Sequence, residues 1–111
     1  MAKKDEHEAH EMLERLQLAQ QRMQLFAAQK QQIQMQLAEL ENALKEIGRT
    51  DKPVFRLIGE LLVEKDKAEL TKDLSDKKED FEVRLKSLEK QEGKLKGEAT
   101  DLQKELSEKI K

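Results

Sequence analysis

The residues with the most obvious potential for chemistry lie near the start of the chain. His7 and His10, with Glu6 and Glu11 beside them, are of the types that ligate metal ions. The zinc-protease pattern needs two histidines four apart on a helix with Glu after the first, and here the spacing is three. No third ligand stands nearby to complete a four-coordinate site, so the pair reads as two exposed histidines on a helix end, and no metal is expected. The other carboxylates are spread along polar stretches with no pocket in which to tune an acid or a base. Neither GxxxxGK[ST] nor GxGxxG occurs, so no nucleotide cofactor is expected, and neither is catalysis.

Composition narrows the partners. The 111 residues are 41% charged, with 22 Lys and Arg against 24 Asp and Glu, and acids and bases are interspersed. Such a chain has no basic stripe for nucleic acid, and three Phe without Tyr or Trp offer little for bases to stack on. No apolar run approaches the ~20 residues that span a bilayer. There is no cysteine, and the N-terminal stretch has no apolar core of the kind a signal peptide carries. The expectation is a soluble cytoplasmic protein, with neither membrane nor nucleic acid as partner.

The pattern that does stand out is helical. Met12, Leu16, Ala19, Met23, Phe26, Ile33, Leu37, Leu40, Leu44 and Ile47 recur in steps of four and three, and only Lys30 interrupts them. A second seam runs Leu74, Phe81, Leu85, Leu88, Leu95, Ala99, Leu102 and Leu106, interrupted by Lys78 and Glu92. Both are coiled-coil seams. Asp5 with Glu8 marks the start of the first helix and Gly48 its end as a C′ residue. Asp66 with Glu69 starts the second as a capping box. Asp80–Arg84, Glu82–Lys86 and Glu105–Lys109 are spaced to pair along it. Gln fills nine of the twenty positions Gln17–Gln36, which reads as a solvated helix face.

Between the helices lies Pro53–Lys65, PVFRLIGELLVEK. Two apolar runs around Gly59-Glu60 predict a β-hairpin with a type II′ turn, pairing Ile58 with Leu61, Leu57 with Leu62 and Arg56 with Val63. Phe55, Leu57 and Leu62 then share one face, and Val54, Ile58, Leu61 and Val63 the other. A two-stranded hairpin apolar on both faces is marginal alone and calls for other chains. The predicted architecture is mainly α, a single domain over 1–111. Helix 1 covers 5–47, the hairpin 53–65 and helix 2 66–109, folded as an antiparallel coiled coil roughly 65 Å long. Met12, Leu13, Leu16, Leu102, Leu106 and Ile110 then gather where the termini meet, either as a loosely zipped coiled-coil end or as a small, adaptable apolar surface that grips exposed hydrophobic chains.

The layout resembles a β-class prefoldin subunit, most specifically in PVFRLIGELLVEKDKAEL (Pro53 to Leu70) and KKEDFEVRLKSLEKQEGKL (Lys77 to Leu95). One hairpin, not two, points to the β class over the α class. The resemblance implies a hexamer of two α-class and four β-class subunits, whose hairpins assemble into β-barrels from which the coiled coils hang. It implies an ATP-independent chaperone that holds unfolded client proteins at the coiled-coil tips and passes them to a group II chaperonin. Val54, Phe55, Leu57, Ile58, Leu61, Leu62 and Val63 would then form the oligomer interface. Met12, Leu13, Leu16, Leu106 and Ile110 would contact clients. The alternative is a structural coiled-coil adaptor tethered through its hairpin.

Overall fold

The computed structural model describes residues 3–110, with side chains from Glu6 onward. The order is α1 (Lys3–Arg49), β1 (Val54–Ile58), β2 (Leu61–Lys65) and α2 (Lys67–Lys109). Contacts divide it into two compact units, one of residues up to Gln31 with those from Lys86 on, the other of Gln32–Leu85.

In the first unit the two helix segments run antiparallel, with Lys109 beside Glu8 and Lys30 beside Glu92. Leu16, Ala19, Leu95, Ala99 and Leu102 form its buried core, and Met12, Met23, Phe26 and Leu106 pack against that core half-buried. These are the expected seam positions. Lys109, half-buried, continues the same spacing beyond Leu106 and turns its amine to Glu8 at 2.6 Å, not to Glu105.

In the second unit Ile47, Val54 and Leu70 form a smaller core with Leu74 packed against it. Leu70 extends the second seam one step before Leu74, where the sequence reading began it. The hairpin has the predicted register, with Ile58 opposite Leu61, Leu57 opposite Leu62 and Arg56 opposite Val63. Gly59 has φ 62°, and no other described residue has a positive φ, which is the demand a type II′ turn makes on its first central residue. Asp66 caps α2, its Oδ2 accepting from the Glu69 N–H at 3.1 Å.

One expected boundary is wrong. Gly48 does not stop α1, which continues through it to Arg49. Gly48 lacks the left-handed φ of a C′ residue. The last turn is held instead by burial of Ile47 and by the Thr50 N–H donating to the Glu46 carbonyl at 3.2 Å. The Lys67 amine then caps the Thr50 carbonyl at 2.8 Å. At the other end the backbone is already helical at Lys3, and the Asp5 side chain lies outside the described residues. Besides Glu105–Lys109, the other two expected surface pairs are also replaced by other contacts. Arg84 lies over the Phe81 ring, 5.7 Å from its centroid, and Glu82 lies 3.8 Å from Lys78.

Gly93 and Gly97 sit inside α2, and a Cβ added at either would meet no atom within 4 Å. Gly93→Ala and Gly97→Ala are each expected to raise stability by about 1 kcal/mol, the usual helix-interior difference. Gly59→Ala is expected to lower it by about 1–2 kcal/mol, because a Cβ disfavours the left-handed backbone. Thermal melts followed by circular dichroism read both signs.

Candidate functional site: two apolar surfaces and a charged seam layer

The hairpin is the larger surface. Of the residues assigned to an interface, Val54 is turned inward and is 9% exposed against Ile47 and Leu70. Val63, across the strand pair on the same face, is half-buried. Phe55, Leu57, Ile58, Leu61 and Leu62 are exposed, from 50% at Ile58 to 71% at Leu62. Alternation explains the split. Val54, Arg56, Val63 and Lys65 share the face turned to the helices, while Phe55, Leu57 and Leu62 lie on the other. Ile58 and Leu61 share the inner face but flank the turn, where they stay exposed. An open depression of about 450 Å³ beside β1 is lined by Ile47, Val54, Leu57, Leu70 and Leu74 among others. Single exposed leucines are ordinary on a protein surface, but five large apolar side chains on ten strand residues are a concentration that makes the hairpin a candidate interaction site.

The second surface lies in the other unit, where the two helix ends meet. Leu13 and Ile110 are 41% and 65% exposed. Met12 and Leu106 are half-buried behind them, packed on the core, and Leu16 is part of that core at 8% exposure. Of the five residues expected to contact clients, two are therefore open, two are partly covered and one is interior. His7 and His10 each lie against a carboxylate one turn on, at 3.1 Å from Glu11 and 3.0 Å from Glu14. Among the described residues no cluster of His, Cys, Asp or Glu could hold a metal ion. Nor is any helix of the described residues long and apolar enough to cross a membrane.

Between the seams of this unit lies a contact that reading each helix separately did not pair. Lys30 and Glu92, the charged interruptions of the two seams, meet at 2.9 Å with about a quarter of each side chain exposed. The hydrogen bond to Glu92 raises the Lys30 pKa above the ordinary lysine value, with burial opposing and the charges of Glu92 and Glu89 adding. The two residues stand near mirror positions about the Gly59-Glu60 turn, and that symmetry was the signal available in the sequence. In the other unit Lys78 lies 3.8 Å from Glu41 and from Glu82.

Two long helices and one antiparallel hairpin make up the described fold, and the family model "Prefoldin subunit" matches residues 10–111. The chain belongs to the prefoldin family. Prefoldin subunit beta of Thermococcus onnurineus is 41% identical, over 89% of this chain and 84% of that protein. Prefoldin subunit beta of Archaeoglobus fulgidus is 35% identical, over 86% and 84%. The crystal structure of the prefoldin beta subunit from Thermococcus strain KS-1 superposes with a TM-score of 0.86 at 36% identity, covering 91% of this chain and 90% of that one. The expected β-class prefoldin fold, two helices with one antiparallel hairpin, is thus the one observed, and the chain is a subunit of the prefoldin chaperone type.

The Lys30–Glu92 contact makes a prediction with a definite sign. A lysine whose pKa is raised by folding contributes stability that is complete below the ordinary value of about 10.4 and is lost as pH climbs through the raised value. Glu92→Gln is expected to bring the Lys30 pKa back down, as read by NMR of the labelled amine. Lys30→Glu is expected to lower the melting temperature, and adding Glu92→Lys to recover most of the loss. If the exchanged pair recovers nothing, the contact does not select the pairing of the seams.

Proposed function

We propose that this prefoldin subunit is the β-class component of an ATP-independent holdase, working in the cytoplasm in a hexamer of two α-class and four β-class subunits. Its hairpin joins other subunits, in β-barrels, through Phe55, Leu57, Ile58, Leu61 and Leu62. The observation that carries this is the exposed set of large apolar side chains on a hairpin whose Val54 already anchors it to its own helices. A sheet of two strands cannot cover such a set itself, so association removes it from water.

The meeting point of the helix ends serves as the client surface. Leu13 and Ile110 offer exposed apolar contact, and Met12 and Leu106 stand partly open behind them. Leu16 supports this surface from within the core. Methionine adapts to varied shapes, which suits capture of many unfolded sequences. Held clients then pass to a group II chaperonin.

Two pairs of substitutions separate assembly from capture. Phe55→Asp with Leu62→Asp is expected to reduce the mass of the complex by light scattering while helicity is kept. Leu13→Ser with Ile110→Ser is expected to leave the mass unchanged and to weaken suppression of aggregation of a denatured protein, assayed without nucleotide. An assembled complex that suppresses no aggregation would sink the holdase reading. Capture unaffected by the second pair would move the client surface elsewhere.

A further inference from the structure

The sequence contains a feature that neither surface uses. In a chain with 24 acidic residues, none occurs between Glu14 and Glu39, while Arg15, Arg22 and Lys30 all fall there. Within the same unit, two adjoining cavities of about 370 and 180 Å³ lie between α1 and α2 and share Arg22, Leu95 and Glu98. Together they form one groove along the side of the helix pair. Leu25 and Phe26 line it at one end, and Leu18 and Ala19 at the other.

We propose that this groove docks an acidic amphipathic helix of a partner protein. Leu18 and Leu25 line it yet are 50% and 58% exposed. They stand seven residues apart, about 10.5 Å along α1, which matches two apolar anchors one heptad apart on a third helix lying alongside. Arg15 and Arg22 repeat at the same spacing, and Lys94 stands on the α2 wall. Among the described residues no ion pair involves Arg15, Arg22 or Lys94. Glu98 is the one acid in the lining, so three unpaired cations face one carboxylate. Guanidinium forks flanking apolar anchors select carboxylates beside leucine-like side chains. A second copy of this chain fits poorly, because apposing the same face would set Arg15 and Arg22 against their own counterparts. The site shares no residue with Leu13 or Ile110 and does not depend on client capture there.

The test uses the full chain, with binding followed by fluorescence anisotropy. One labelled, stapled helical peptide carries leucines seven apart flanked by glutamates, and a second has lysines in place of the glutamates. The acidic peptide is expected to bind roughly tenfold tighter, with the margin shrinking as salt is added. Arg15→Glu with Arg22→Glu, and separately Lys94→Glu, are expected to narrow or reverse that margin. Leu18→Ser with Leu25→Ser is expected to abolish binding, with circular dichroism showing that helicity is retained. Leu13→Ser with Ile110→Ser is expected to leave it unchanged. Failure of the acidic peptide to bind overturns the proposal, as does equal binding of both peptides or loss of binding through Leu13 and Ile110. A fall in the chain's own solution mass on Leu18→Ser with Leu25→Ser also overturns it, because the occupant would then be another copy.

Discussion

A helix with only one helix to pack against can cover only a narrow stripe of itself. Among the described residues no large side chain is fully buried, and the most protected, Ala19 and Leu70, still keep 6% of their surface open. Stability must come from many half-covered layers and not from a dense centre. Apolar side chains off the stripe have no interior to enter. Leu57 and Leu62 on the hairpin, Leu13 and Ile110 at the helix ends, and Leu18 and Leu25 along the side therefore stay exposed. Shortage of interior and abundance of exposed apolar surface are the same fact about this fold.

A seam of repeated layers has a second weakness, since sliding one helix by a heptad costs little when every layer looks alike. Lys30 and Glu92 break that degeneracy. Each alone would leave a charge against apolar neighbours, and only one pairing brings them to 2.9 Å. Polar seam residues of this kind specify register at some cost to stability. The hairpin supplies the other constraint, because Gly59 fixes the turn and Val54 ties β1 to Ile47 and Leu70.

Much of this could be read from residue spacing. The predicted positions of both seams are buried or half-buried, and the hairpin register follows from Gly59-Glu60, because period and turn chemistry act over a few residues. What escaped depends on contacts distant in sequence. Gly48 looks like a helix stop, yet Ile47 packing against Val54 and Leu70 carries the helix past it. Arg84 looks like a partner for Asp80, yet a ring one turn away is also within its reach. For the candidate surfaces, alternation separated the two faces of the hairpin, but only the helices' position decided that Val54 turns inward. Leu13 and Ile110 fell off the seam and are exposed. Leu16 fell on it and is buried.

The hairpin of β1 and β2 has a further consequence. A two-stranded sheet is all edge, since each strand offers one side to its sister and leaves the other side's amides and carbonyls unmatched. A chain built this way is bivalent in backbone hydrogen bonds, with one open ladder on β1 and another on β2. Any linear string of such chains still ends in two unmatched ladders, however long it grows. Only a closed ring uses them all. If subunits join through these edges, as proposed above, growth ends by closure rather than by exhaustion of affinity, and the number of subunits becomes a question of curvature, set by how far each short, twisted hairpin turns the next.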